Sequence, residues 1–235
     1  MRRLPLAWLL CLPAARAAEA HPHMADDPLV WMLEVEELEH RRDGGAGDLH
    51  WDVVGWIGYD DNRLALRSEG ERETGGPTEN QLELLWWRPL SAWWDLVAGA
   101  RYDSGPLDDR AYLAVGVQGL APQWLHMEAT GYLGDRGDWG VRLQADYDWL
   151  FTQRLVLAAR AEGEWWSDSD DRLARGSGES AATLGLRLRY EIRREFAPYL
   201  GLEWKRSLGD SADLVRAAGD DVDSHRWVAG VGFWF

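Results

Sequence analysis

Cysteine is nearly missing from this chain of 235 residues, long apolar runs are missing altogether, and basic residues are scarce. The single Cys, Cys11, excludes a scaffold stapled by disulfides. No apolar run reaches the roughly 18 residues that a transmembrane helix needs, and the mean hydropathy is −0.40, so a helical membrane span is excluded. Acidic residues outnumber basic ones 40 to 25, for a formal net charge of −15 and a pI near 4.8. Nucleic acid is therefore not an expected partner, because phosphate contact needs clustered Lys and Arg. What is plentiful is Gly, with 25 residues, and Trp, with 16. Trp is amphipathic, and its overuse points to a large recognition surface or to the aromatic girdles of a membrane protein.

Residues 1–20 open on Arg2-Arg3, continue through an apolar run from Leu4 to Leu12 and end on small residues, the layout of a secretory signal peptide. Small residues at −3 and −1 fit cleavage after Ala17 or after Ala20. Leu10 rather than a small residue precedes Cys11, which argues against a lipid-modified Cys. Removal of residues 1–20 takes away three Arg and one Glu, leaves no Cys, and makes the net charge −17. The expected organisation is a signal peptide (1–20), a short His- and Met-containing periplasmic tail (21–28) and one domain (29–235).

Hydrophobicity alternates with period two through most of that domain. In 139–149, Trp139, Val141, Leu143, Ala145, Tyr147 and Trp149 share one face, while Arg142, Gln144, Asp146 and Asp148 share the other. In 182–191, Ala182, Leu184, Leu186, Leu188 and Tyr190 oppose Arg187, Arg189 and Glu191. The same pattern predicts strands near 29–39, 49–59, 62–70, 80–88, 92–102, 110–120, 123–133, 139–150, 154–165, 180–191, 196–206 and 225–235. The connections alternate in length: long ones, such as 41–48, 71–79, 166–179 and 207–224, follow the odd strands, and tight turns such as Asp60-Asp61 and Ala121-Pro122 follow the even ones. This is the plan of an outer-membrane barrel. The expected fold is thus all-β, a closed antiparallel transmembrane β-barrel of about twelve strands, or ten if the weakly patterned 29–70 contributes fewer. Both termini are expected to be periplasmic.

Arg, Asp and Glu at nearly every position of one face cannot fill a dry core, but they can line a wet or ion-paired lumen while Leu, Val, Ala and Trp face lipid. Trp86, Trp87, Trp93, Trp94, Trp165, Trp166 and Trp204 sit near strand ends, as interfacial girdles should. The chain ends Trp227-Val228-Ala229-Gly230-Val231-Gly232-Phe233-Trp234-Phe235, similar to the terminal strand that the outer-membrane insertion machinery recognises.

Longer segments carry a family resemblance. Trp94-Asp95-Leu96-Val97-Ala98-Gly99-Ala100-Arg101-Tyr102-Asp103, LAVGVQGLAPQWLHMEATGYLG (113–134), YDWLFTQRLVLAARAE (147–162), GLRLRYEIRREFAPYLGLEWKRSLG (185–209) and the run from Ala212 through Arg216-Ala217-Ala218-Gly219 to Phe235 resemble the copper resistance protein B family of bacterial outer membranes. The resemblance is close over about 90–235 and looser over 29–90. It implies an outer-membrane protein of copper tolerance that handles copper ions as bound substrate and is encoded alongside periplasmic copper-binding proteins. Copper enters only through this resemblance. Family members often carry a Met- and His-rich segment before the barrel, where this chain has only His21-Pro22-His23-Met24.

Three places offer metal-ligating chemistry. His21, His23 and Met24 combine imidazole and thioether, donors that suit copper in both oxidation states. Within the barrel, a loop centred near 136 sets His126 opposite Asp146 and Glu128 opposite Gln144, with Met127 pointing to lipid. His126 is then expected to be the only imidazole deep in a strand, with Glu128 and Asp146 as neighbouring carboxylates. The next turn, near 152, is expected to set Arg142 against Glu162 and Gln144 against Arg160, an ion-paired lumen. The loops 166–179 and 207–224 carry Asp168, Asp170, Asp171, Asp210, Asp213, Asp220, Asp221 and Asp223, which can gather hard cations or simply be solvated. His40, His50 and His225 form no recognisable ligand spacing.

The expected function is a non-enzymatic copper-tolerance barrel of the outer membrane that binds copper ions or assists their sequestration or export. Two other functions compete with this one. A general small-solute pore is opposed by the Arg and Glu side chains filling a twelve-strand lumen. An outer-membrane phospholipase-type enzyme needs an exposed His paired with a nucleophilic Ser, and no such spacing occurs.

Overall fold

The computed structural model describes residues 27–43, 47–76, 78–105, 109–167, 180–209, 212–213, 216 and 222–235. Twelve strands follow one another: β1 (Val30–Arg42), β2 (Asp48–Gly58), β3 (Arg63–Glu73), β4 (Thr78–Pro89), β5 (Trp94–Ser104), β6 (Arg110–Ala121), β7 (Leu125–Gly134), β8 (Trp139–Leu150), β9 (Leu155–Trp166), β10 (Ser180–Tyr190), β11 (Phe196–Leu208) and β12 (Asp223–Trp234). Each pairs antiparallel with its neighbours, and β1 closes on β12. The backbone of Phe235 completes the seam, donating to the carbonyl of Leu33 at 2.8 Å and accepting from its N–H at 3.1 Å. Closure leaves no exposed edge, the condition for a sheet to stand in hydrocarbon.

The alternation read in the sequence is the alternation of the walls. In β6, Arg110, Tyr112, Ala114 and Gln118 are buried in the interior, whereas Leu113 and Val115 are 65% and 59% exposed on the outside. Met127 faces outward with them. An outer belt of such residues is matched to lipid rather than water. Substituting Leu84, exposed in the middle of β4, by Arg is therefore expected to destabilise the barrel by about 2–4 kcal/mol. Urea unfolding in lipid vesicles measures this, and a neutral result would mean that this face does not meet hydrocarbon.

The connections after even strands, the starts of β1 and the end of β12 gather at one rim, here the short-turn rim. The ends of β9 and β11 and the starts of β10 and β12 lie at the opposite, long-loop rim. The other connections at that rim are shorter than expected, 43–47 and 74–77 instead of 41–48 and 71–79, because the hairpin pairing continues outward, as far as Asp48 with Glu73 and Arg72 with Thr78. At the 135–138 turn Gly137 takes φ +90°, which glycine adopts without strain.

Three expectations need correction. The β8–β9 register is displaced by two residues, pairing Arg142 with Glu164, Gln144 with Glu162 and Asp146 with Arg160. The cause is the turn: the Thr152 hydroxyl accepts from the N–H groups of Arg154 at 3.2 Å and Leu155 at 2.9 Å, drawing Arg154 out of the strand. A two-residue shift keeps every side chain on its face. Trp87 and Trp166 are not girdle residues; they point inward and are 8% and 4% exposed, while Trp86 and Trp165 face outward. In a strand, consecutive Trp residues must face opposite ways. Finally, the interior is not lined by charge throughout. Leu85, Trp87, Val97, Tyr112, Ala114 and Tyr132 join Val54, Ala65 and Trp166 in a dry cluster along one side, and the ion pairs occupy the remainder.

Candidate functional site: a two-chambered lumen

β1 carries the feature that organises the lumen. Its sequence Glu34-Val35-Glu36-Glu37-Leu38-Glu39 changes phase at the Glu36-Glu37 doublet, and a β-bulge falls there. The extra residue re-aims the strand so that Glu34 and Glu36 before it, and Glu37, Glu39 and Arg41 after it, all serve the interior. Gly230 on β12 makes room beside them, since a Cβ there would lie 2.6 Å from Glu39 Cβ and 2.7 Å from the Tyr199 hydroxyl.

Glu37 bridges two arginines from different strands. Its Oε1 accepts from Arg160 Nη1 on β9 at 3.0 Å and its Oε2 from Arg187 Nη2 on β10 at 2.8 Å. Arg187 also holds Glu39 at 2.8 Å and Glu203 at 3.3 Å, and Arg160 holds Asp52 at 3.1 Å and Asp146 at 2.6 Å and pairs with Glu36. Arg142 reaches Glu69 on β3 at 2.7 Å. These side chains form a septum across the barrel. Glu37, Glu69, Gln81, Arg160 and Arg187 line both cavities that flank it.

On the side of the short-turn rim lies a vestibule of about 580 Å³, reaching out to Trp124, Arg194 and Trp234. The turn beside its mouth is strained: Gln123 and Trp124 both have φ near +65°, unusual for side-chain-bearing residues. Toward the long-loop rim lies an outer chamber of about 180 Å³.

The vestibule receives the barrel residues singled out in the sequence. His126 pairs in register with Asp146 and Glu128 with Gln144, as the loop centre implied. All three candidate ligands line the cavity. The two carboxylates are engaged, Glu128 by Arg67 at 2.6 Å and by the Thr130 hydroxyl at 3.0 Å, Asp146 by Arg160 and by Gln144 Nε2 at 2.8 Å. His126 is not deep: it is the second residue of β7 and stands exposed near the mouth. Among the described residues, no three His, Cys, Asp or Glu side chains are grouped to hold a metal ion. His21, His23 and Met24 lie outside the described residues, as do Asp168, Asp170, Asp171, Asp210, Asp220 and Asp221.

The expectation that His126 is the only imidazole deep in a strand is corrected: His126 stands exposed near the mouth, and the buried lumenal imidazole is His50. Asp48, His50 and Asp52 occupy alternate positions of β2 and face inward, and His50 is 5% exposed at the wall of the outer chamber. Its register neighbours are Glu39 on β1 and Glu71 on β3. The signal was present in the alternation Asp48, His50, Asp52, but it becomes a constellation only once β1 and β3 flank it. His40 and His225 are exposed on the other face.

Comparison with known proteins adds what geometry cannot. The family model described as "Copper resistance protein B precursor (CopB)" matches residues 29–235. A "Copper resistance protein B homolog" of Pseudomonas syringae pv. tomato is 45% identical over 199 residues, 85% of this chain and 67% of that protein. The "Copper resistance protein B" of Escherichia coli is 40% identical over 210 residues, 89% of this chain and 71% of that protein. Among solved structures, the NanC porin superposes with a TM-score of 0.57 at 13% identity, covering 86% of this chain and 98% of that one. The KdgM porin gives 0.54 at 13%, covering 87% and 99%. At such identities the likeness concerns the barrel fold alone.

Proposed function

This chain belongs to the copper resistance protein B family, and from that membership we propose that it serves copper tolerance as a non-enzymatic barrel of the outer membrane, binding copper ions and assisting their sequestration or export. The observation that carries the reading is the acid-rich, two-chambered lumen with His126 at the mouth of the larger cavity. Carboxylates there attract a cation, and imidazole binds copper more strongly than carboxylate does. The short-turn rim and both termini face the periplasm in this reading. Residues 1–20 are removed on export, and His21, His23 and Met24 supply soft and borderline donors to the mature chain. Periplasmic copper-binding proteins are the natural donors or acceptors of the ion. The septum supports binding over free passage, because Arg142, Arg160 and Arg187 stand across the cation's path.

The test is growth in copper of a sensitive Gram-negative strain expressing the chain. The wild type is expected to raise tolerated copper, His126→Ala to lower it more than Asp146→Asn does, and the triple substitution His21→Ala, His23→Ala, Met24→Ala to lower it as well. Full tolerance in every variant would move copper handling to the acidic loops or to a partner and overturn this site assignment.

A further inference from the structure

In the outer chamber nearly every charged group is paired, and one polar ring is not. Glu37, Glu39 and Glu203 are held by Arg41 and Arg187, and Glu71 by Arg226 at 3.1 Å. His50, although 95% buried among them, makes no hydrogen bond among the described residues; its one carboxylate contact there is Glu37 Oε2, 3.6 Å from Nε2, and the Arg41 guanidinium is also close enough to act on it. A buried polar ring without a partner costs free energy unless something completes it. The ring lines the chamber, so whatever completes it comes from there.

The chamber's chemistry narrows the candidate. Its wall carries more carboxylates than cationic side chains, which favours a cation over an anion, and it has no thioether or thiol. Imidazole beside carboxylate selects a borderline transition ion over calcium or magnesium, and among divalent ions copper binds such donors most strongly. We propose that His50 is the nitrogen ligand of a copper(II) site in the outer chamber, with Glu37 as its neighbouring oxygen donor. This rests on the copper reading above and deepens it. Two protein donors leave the rest of the shell to water, which suits an ion held as bound substrate rather than a resident cofactor. The placement is also purposeful relative to the septum. His126 lies on its vestibule side and His50 beyond it, so each chamber carries one imidazole on its wall.

The experiment is copper(II) titration of the full chain, purified folded in detergent, read by calorimetry and by electron paramagnetic resonance. A variant with His21→Ala, His23→Ala, Met24→Ala and His126→Ala is expected to retain one copper(II) with nitrogen hyperfine coupling. Adding His50→Gln to it is expected to weaken binding at least tenfold and abolish the coupling. Equal binding with and without His50→Gln overturns the site but leaves the copper function standing, as does loss of all binding in the four-substitution variant when the wild type binds. No copper binding by the wild type overturns both. Should His50→Gln fail to fold, copper-directed oxidation of the wild-type chain with ascorbate and peroxide decides: conversion of His50 to 2-oxohistidine supports the site, and an unmodified His50 beside oxidised histidines elsewhere overturns it.

Discussion

Replacing Arg101 by alanine is expected to destabilise the folded barrel by about 3–5 kcal/mol, the cost of removing one partner from a buried ion-paired group. The Arg101 side chain is wholly buried. It grips Asp103 with two bonds, Nε to Oδ1 at 2.6 Å and Nη2 to Oδ2 at 3.0 Å, and reaches Glu164 on β9 with Nη1 at 2.9 Å. Its guanidinium also lies 4.6 Å from the Tyr132 ring centroid and 5.6 Å from that of Trp166, within the range of cation–π attraction. One side chain therefore joins the charged half of the lumen to the dry aromatic half. Alanine removes the cation two carboxylates share and opens a gap against the Tyr132 and Trp166 rings. Urea unfolding in lipid vesicles, followed by Trp fluorescence, measures the loss. A double variant, Arg101→Met with Asp103→Leu, is expected to be less destabilised than the sum of the single variants, because it removes the Arg101–Asp103 pair together and takes the arginine from Glu164 alone. Additive losses would show that the ion pair is not the source of the effect.

The wall of this barrel was legible because its two faces meet different solvents. Strand limits read from period two agree within a few residues from β1 to β12, as at 139–150, where expectation and strand coincide. The β7–β8 register was legible too, since the centre of a tight turn fixes the pairing, and His126 does lie against Asp146. The β8–β9 register was not, because it depends on a single hydroxyl, that of Thr152, which no pattern of hydrophobicity reports. The doublets Trp86-Trp87 and Trp165-Trp166 carry their own sign in the sequence: tandem aromatics in a strand cannot both be girdle residues. The interior is harder. Arg67 with Glu128 and Arg160 with Glu37 join strands that are not neighbours in the sheet. Such contacts depend on barrel diameter and stagger, which no segment contains. The bulge at Glu36 had its mark in the change of phase along β1, but its effect, delivering Glu37 to two arginines, appears only when β9 and β10 are in place. His50 illustrates the same limit at the candidate site.

The double substitution Arg160→Gln, Arg187→Gln is expected to convert a nearly sealed lumen into a cation-conducting one. Each guanidinium now serves several carboxylates at the waist between the chambers: Arg160 holds Glu36, Glu37, Asp52 and Asp146, and Arg187 holds Glu37, Glu39 and Glu203. Glutamine is shorter, makes fewer hydrogen bonds and has no charge, so the septum thins and two positive charges leave the path. The carboxylates remain, and Glu37 loses both arginines it bridges. Repulsion among them draws in mobile cations and favours side chains swung toward the wall. In planar bilayers bathed in potassium chloride, the wild type is expected to show low conductance, and the variant a severalfold higher one with a reversal potential shifted toward cation selectivity. High salt should shrink the selectivity by screening the wall. Glu37→Gln alone keeps both guanidinium groups and is expected to shift selectivity the other way, toward anions, with a smaller change in conductance. A wild type that already conducts freely, or a double variant that remains closed or turns anion-selective, would show that the arginine and glutamate septum is not what closes the barrel.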